Sequence, residues 1–109
     1  EKHEAQALFI GVVQEDSSGY PDCTDTFINK IQNAMNQGTK DETNLEIITP
    51  LVHMSKAQIV QKSLQLNVPL KYTWSCYANE HKACGVCDSC RLRLNGFKLA
   101  GEVDEVEYI

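Results

Sequence analysis

Aromatic residues, basic charge and long apolar runs are all scarce in the 109-residue chain. Only 7% of the residues are aromatic, and no apolar run reaches the ~18 residues that a membrane-spanning helix needs. The first residues, from Glu1 to Ala5, lack the basic and then apolar order of a secretory signal. We therefore expect a cytoplasmic protein with no membrane partner.

Basic residues are outnumbered, with 10 Lys and Arg against 15 Asp and Glu, which gives a net charge of −5. A broad nucleic-acid surface needs the opposite sign, because Lys and Arg must replace the counterions of the phosphates. A length of 109 residues with 42% apolar content fits one globular domain with a modest core. The composition thus favours a single domain and predicts no nucleic-acid partner.

Cysteine, by contrast, is well represented, with five residues in the chain. Four lie close together in sequence: Cys76, Cys84, Cys87 and Cys90. Zinc takes four thiolate or imidazole ligands in a tetrahedron. Gly85 permits the sharp turn that lets the flanking sulfurs meet one ion, and the spacing of Cys87 and Cys90 puts both on one face of a helix start. The cluster predicts a structural zinc site whose shell is closed by four sulfurs.

Two alternatives to this site remain open. The thiols could pair as disulfides, although the odd cysteine count and the absence of a secretory signal favour a reduced compartment. His81 could replace one cysteine, although four sulfurs already complete a tetrahedron. Four thiolates around one zinc ion carry excess negative charge, which Lys82, Arg91 and Arg93 lie close enough in sequence to offset.

The apolar pattern predicts two strands and three helices. Residues 7–13 are typical of a buried strand in a parallel sheet, and residues 45–49 form the second strand. Helices are expected from Thr24 or Asp25 to about Gln37, from Ser55 to about Leu66, and from near Cys87 to about Ala100. The inward residues of the second helix are Ala57, Ile59, Val60 and Leu64. Strands alternating with helices predict an α/β fold, although two strands are few for a sheet that stands alone.

Three sequence blocks together resemble the 7-cyano-7-deazaguanine synthases. The first runs from Asp16 to Cys23, and the second joins Thr49–Leu51 to Ser55–Val60. The third, the most specific, joins Thr73–Tyr77 to the Cys-Gly-Val-Cys-Asp-Ser-Cys motif and the helix after it. The resemblance implies the C-terminal part of a Rossmann-like ATP-pyrophosphatase sheet with a helical, four-cysteine zinc-binding segment. Residues 1–109 would form one partial domain, in which 1–70 supply strand–helix units and 71–109 bind zinc.

The activity that this resemblance implies is an ATP-dependent carbon–nitrogen ligation. The family converts 7-carboxy-7-deazaguanine and ammonia to 7-cyano-7-deazaguanine, a precursor of queuosine, with ATP and Mg²⁺ and commonly as a homodimer. Its phosphate loop, Ser-Gly-Gly-x-Asp-Ser, has no match here and would lie before Glu1. We therefore expect the chain to be the C-terminal half of such an enzyme, inactive alone. Thr24 and Gln58 also depart from the family pattern, which has Arg and Glu there.

The resemblance also assigns candidate site residues. Lys56, at a helix start, would bind the ATP phosphates and stabilise the leaving pyrophosphate; a solvated surface lysine is the alternative. Asp16, Tyr20 and Asp22 would bind the deazapurine or the metal that accompanies ATP, or form only a polar turn. Cys23 is a reactive thiol or, more simply, a small buried residue.

Two functions from other classes remain as rivals to a ligase. A small zinc module could bind nucleic acid or protein, and a scaffolding fragment could lack catalysis altogether. The net charge of −5 and the two strand–helix units argue against the nucleic-acid module. For the acidic tail, residues 102–109, the sequence predicts no particular structure.

Overall fold

In the computed structural model, which describes residues 1–109, the chain forms an N-terminal unit, Glu1–His53, and a C-terminal unit, Met54–Ile109. The N-terminal unit is a β–α–β motif of strand β1 (Ala7–Phe9), helix α1 (Asp25–Gln37) and strand β2 (Glu46–Ile48). The strands pair in parallel, with Leu8 opposite Ile47, and a 3₁₀ turn, Gln14–Ser18, follows β1. The predicted parallel pairing and α/β order are confirmed.

Helix α1 begins and ends where its capping residues predict. The Thr24 hydroxyl accepts a hydrogen bond from the Phe27 N–H at 3.1 Å, which satisfies a donor that the first turn leaves unpaired. At the other end, the Gly38 N–H donates to the Ala34 carbonyl at 3.0 Å. Ile28 is the buried residue of the helix.

Strand β1 is shorter and more exposed than the sequence predicts. It spans Ala7–Phe9, not residues 7–13, and Phe9 is 69% exposed. The prediction of a buried strand is wrong because burial needs cover on both faces. A sheet of two short strands with one helix does not provide it.

Helix α1 covers the edge of β2 that faces away from β1. The Ile47 N–H donates to Gln32 Oε1 at 2.6 Å. The Asn36 side chain accepts from the Leu45 N–H and donates to the Leu45 carbonyl, both at 3.0 Å. Two amide side chains thus take the place of a further strand on this side of the sheet.

The C-terminal unit is built on two helices, α2 (Lys56–Gln65) and α3 (Asp88–Ala100), joined through a 3₁₀ turn at Leu70–Tyr72. Both helices begin within about one residue of the predicted positions. Of the residues predicted to face inward on α2, Val60 is buried, but Leu64 is 42% exposed. Leu64 lines a shallow surface cavity with Val68 and Val103 instead of packing in the core.

The acidic tail is ordered against the cysteine segment. Gly101, in the left-handed conformation at φ 74°, ends α3 and turns the chain back. The Ala83 N–H then donates to the Glu107 carbonyl at 2.8 Å, and the Ile109 N–H donates to the Ala83 carbonyl at 3.0 Å. No helix in the chain is long and apolar enough to cross a bilayer.

Candidate metal centre and lysine cavity

The four clustered cysteines converge on one point. Their Sγ atoms all lie within 4.8 Å of one another, and Cys84 Sγ and Cys90 Sγ are 4.0 Å apart. Four sulfurs bound to zinc at ~2.3 Å in a tetrahedron would lie about 3.8 Å apart, so a small contraction would bring all four onto one ion. All cysteines are free thiols, which removes the disulfide alternative, and His81 lies outside the group.

Backbone N–H groups surround the sulfurs as they would surround thiolates. The Cys84 N–H donates to Cys76 Sγ at 3.3 Å, the Cys87 N–H to Cys84 Sγ at 3.3 Å, and the Cys90 N–H to Cys87 Sγ at 3.4 Å. The turn between Cys84 and Cys87 needs Gly85, whose φ is 75°. Donors directed at sulfur favour its anionic form, which is the form that ligates a metal.

The environment of the cluster shifts the thiol pKa values in opposite directions. The backbone N–H of Cys84 lowers the pKa of Cys76 to about 6, which favours its thiolate. Burial raises the pKa of Cys90 to about 12, since that side chain is 1% exposed. A divalent cation bound by all four sulfurs would have to displace the Cys90 proton, so we expect metal uptake to release protons.

Apolar side chains enclose the cluster on its inner side. Cys76 and Cys90 share a small core with Ala83 and Val106, and Tyr108 packs against it. Such an enclosure keeps water from the ligands and lowers the local dielectric constant. The donor set, the N–H groups and the apolar surroundings together fit a closed structural metal site.

Two of the cations predicted to offset the cluster's charge are engaged elsewhere. Arg93 forms an ion pair with Asp104 at 2.6 Å, in which the two side chains are only 13% and 2% exposed. Lys82 pairs with Glu107 at 2.9 Å on the surface. Burial would raise the pKa of Asp104, but hydrogen bonds from Arg93 and Tyr108 outweigh it and hold that pKa below its usual value. Arg93 and Lys82 are therefore each paired with a carboxylate, and their predicted effect on the charge of the cluster stays a prediction.

Lys56 is the first residue of α2 and borders a cavity of about 150 Å³. The polar lining of this cavity includes Ser75, Ser89 and Arg93. The rest of the lining is mainly apolar and includes Ile59, Val60, Leu70 and Phe97. The predicted contact of Lys56 with the ATP phosphates stays a prediction.

The Gln58 side chain stabilises the start of the same helix. Its side-chain oxygen accepts from the Ser55 N–H at 2.9 Å, while the Ser55 hydroxyl accepts from the Gln58 N–H at 3.1 Å. This reciprocal pair is a capping box, in which glutamate and glutamine serve equally. The departure of Gln58 from the family's glutamate is thus conservative for the helix start that presents Lys56.

Gly96 sets the distance between the two helices of the C-terminal unit. A Cβ atom at this position would lie 2.5 Å from Lys56 Cβ and 3.3 Å from the Lys56 carbonyl carbon. The sequence predicts only a cost in helix propensity at Gly96. The structure shows in addition that the missing side chain lets the start of α2 lie directly on α3.

Replacing Gly96 with alanine should therefore destabilise the protein despite the better helix propensity of alanine. We expect a loss of about 1–3 kcal/mol from overpacking, against a gain of at most ~1 kcal/mol from propensity. Denaturant unfolding of the full-length protein measures the difference. Gly11→Ala is the matched control, because a Cβ there would meet nothing within 4 Å. A Gly96→Ala protein as stable as the control would contradict the close approach.

The three predicted substrate residues lie in the N-terminal unit, on the loop after β1. Asp16 and Tyr20 are half-buried and Asp22 is exposed. The Tyr20 N–H donates to the Asp16 carbonyl at 3.0 Å, and the Gln14 N–H donates to the Val52 carbonyl at 2.9 Å, which ties this loop to the one after β2. Both loops follow the carboxyl ends of parallel strands, where α/β sheets bind ligands.

Cys23, beside this loop, lacks the features of a reactive thiol. Its Sγ donates to Asp22 Oδ1 at 3.7 Å. Burial raises the pKa of Cys23, and the negative charge of Asp22 raises it further. A thiol held in its protonated form is a poor nucleophile, so the structure favours a packing role.

A β–α–β motif and a helix that begins at a four-cysteine cluster define an α/β protein with a candidate metal centre. The chain matches the model of the family described as "Queuosine biosynthesis protein QueC" over residues 1–101. It belongs to this QueC family.

Nearly the whole chain is also similar to proteins named 7-cyano-7-deazaguanine synthase. The chain is 68% identical over 108 residues to the protein of Aliarcobacter butzleri, with 99% of the chain and 47% of the relative covered. It is 64% identical to that of Sulfurimonas denitrificans, covering 100% and 49%, and 63% identical to that of Campylobacter concisus, covering 99% and 49%. The chain spans about half the length of these curated relatives.

Proposed function

We propose that the chain is the C-terminal part of an enzyme that makes 7-cyano-7-deazaguanine from 7-carboxy-7-deazaguanine, ammonia and ATP. The observation that carries the proposal is 58–68% identity, over nearly the whole chain, to proteins named for that product. A carboxylate is a poor acceptor for ammonia, because it has no good leaving group. Transfer of AMP to the carboxylate, with release of pyrophosphate, supplies one.

The proposed reaction has two activation stages. Ammonia attacks the first adenylate, AMP leaves and a proton is released, which gives the amide. A second ATP then transfers AMP to the amide oxygen and releases pyrophosphate. The amide oxygen leaves as part of AMP, and the nitrogen loses its two protons, which gives the nitrile. Lys56 would contact the phosphates and stabilise the charge that moves onto pyrophosphate. Mg²⁺ would accompany each ATP, as oxygen ligation by phosphates favours.

We propose zinc as the ion of the cysteine site, with Cys76, Cys84, Cys87 and Cys90 as its ligands. Four soft thiolates in a compact cluster suit zinc and leave no position open for water or substrate. The site is then structural: it fixes the start of α3, and α3 carries Gly96 against the backbone of Lys56.

The exposed side of the sheet supports its extension into a larger, Rossmann-like one. Strand β1 pairs with β2 alone, and Leu8, Phe9 and Ile10 are 46%, 69% and 38% exposed. Large apolar residues of this kind normally lie between the layers of an α/β fold. In this proposal, residues 1–70 add strand–helix units to that sheet, and 71–109 form the zinc-binding segment.

The reaction assay that tests this proposal uses the full-length protein with 7-carboxy-7-deazaguanine, ATP and an ammonium salt. We expect mass spectrometry to detect 7-cyano-7-deazaguanine, with AMP and pyrophosphate as by-products, and no product when any one reactant is omitted. Binding of zinc without any nitrile or amide formation would instead point to an interaction module without catalysis.

A further inference from the structure

The tail after α3 lies directly over the turn that carries the cysteines. The Ala83 backbone exchanges hydrogen bonds with Glu107 and Ile109, and Ala83 immediately precedes Cys84. Val106 is buried in the same small core as Cys76 and Cys90. The Tyr108 ring stands over the turn, with Cδ1 3.6 Å from the position that a Cβ on Gly85 would occupy.

The tail is held in this place by Asp104. One carboxylate oxygen accepts from Arg93 Nε and from the Tyr108 hydroxyl, both at 2.6 Å. The other accepts from an Arg93 terminal nitrogen at 3.0 Å and from the Val106 N–H at 3.2 Å. With four donors on one nearly buried carboxylate, the tail is fixed by charge-assisted bonds at both of its oxygens.

Arg93 connects the tail to the rest of the cluster. Its guanidinium donates to the Thr73 hydroxyl at 3.0 Å and to the Leu70 carbonyl at 3.2 Å. Its central carbon lies 5.4 Å from the centre of the buried Phe97 ring. Because Arg93 follows Cys90 on α3 and Thr73 precedes Cys76, this single side chain joins the two segments that carry those ligands.

We propose that residues 104–108 form a clasp that retains the metal by holding the four sulfurs in ligating geometry. Arg93 and Asp104 are the positioning residues of this clasp. The network reaches the segments before Cys76, before Cys84 and after Cys90, yet none of its members is itself a metal ligand. Outer groups of this kind govern metal affinity because they restrict the motions by which ligands separate. The inference rests on the proposed zinc site but not on the proposed ligase chemistry.

The decisive measurement is the rate at which the zinc-loaded full-length protein gives up its metal to a chromogenic chelator. Asp104→Asn keeps the shape of the side chain but removes its charge, and Tyr108→Phe removes one hydroxyl and keeps the ring. We expect zinc release to be about 10-fold faster or more for Asp104→Asn, and to increase by a smaller factor for Tyr108→Phe.

Glu107→Gln is the matched control, because Glu107 lies in the clasp but its side chain is exposed and paired only at the surface. The control should release zinc at the parent rate. Helical circular dichroism of the zinc-loaded proteins, recorded before the chelator is added, separates a loosened clasp from a misfolded variant: the clasp predicts that both variants have the helix content of the parent. Release at the control rate in both clasp variants, or a loss of helix in the zinc-loaded variants that accounts for the faster release, would overturn the inference.

Failure of the clasp is distinguishable from failure of the proposed reaction. A zinc-loaded parent that makes no nitrile would overturn the reaction alone and leave the release rates intact. A parent protein that binds no zinc would overturn the clasp together with the zinc site.

Discussion

Replacing Cys87 with serine is expected to remove the proposed zinc ion and, with it, the folded structure of residues 54–109. Structural zinc contributes ~10–16 kcal/mol to the folding of small domains, whereas whole domains are stable by only ~5–15 kcal/mol. The protein is therefore expected to have little stability to spare once a ligand is lost. Zinc content by elemental analysis and helix content by circular dichroism measure the two effects.

Cys87→Ser is the most informative of the ligand substitutions because of where Cys87 lies. It is the N-cap of α3, and its Sγ accepts from the Cys90 N–H. Serine is among the preferred N-cap residues, so the helix start itself is not impaired. Cys23→Ser, which alters a thiol outside the cluster, is the control. If the Cys87→Ser protein keeps one zinc per chain and an intact α3, Cys87 is not a zinc ligand.

In the proposed full-length ligase, Lys56→Ala should abolish most turnover while leaving the fold, the proposed zinc and substrate binding nearly unchanged. If Lys56 acts mainly as charge moves onto pyrophosphate, its loss lowers kcat more than it raises KM. Removal of one such electrostatic contact costs ~10²–10³ in rate. Steady-state kinetics with 7-carboxy-7-deazaguanine and ATP measure the change.

Two further variants sharpen the test of Lys56. Lys56→Arg should restore little activity, since a planar guanidinium does not reproduce a compact ammonium. Lys62→Ala is the matched control, because Lys62 is an exposed lysine in the last turn of the same helix. Turnover of Lys56→Ala within about threefold of the control, well short of the ~10² loss expected, would remove Lys56 from the catalytic residues.

Features that depend on neighbouring residues could be predicted from the sequence. Thr24, Ser55 and Cys87 each cap a helix through a hydrogen bond to a backbone N–H three residues later. The three helix starts can therefore be predicted from short stretches of sequence. The cysteine cluster follows the same logic, because the turn at Gly85 and the first turn of α3 bring three of its sulfurs together.

Features that depend on distant packing could not be predicted. The burial of β1 depends on what covers the sheet, and no pattern within residues 7–13 contains that information. Arg93, Asp104 and Tyr108 belong to no periodic motif, and their network forms only when the tail folds back. For Gly96 the sequence likewise predicts only a weak helix former, because the close contact between Gly96 and Lys56 is visible only in the structure. Only covariation among homologous sequences could have signalled these contacts in advance.

The covering of β2 by α1 has a consequence for self-association. Strand edges with unpaired backbone groups are where chains add to one another and aggregate. Gln32 bonds the Ile47 N–H, and Asn36 bonds both backbone groups of Leu45 on the outer edge of β2, so growth of the sheet from that side is opposed. A further strand adds more readily beside β1, next to the exposed Phe9. Produced by themselves, these 109 residues should associate with one another through the β1 edge, and Phe9→Lys should lower the association that size-exclusion chromatography measures.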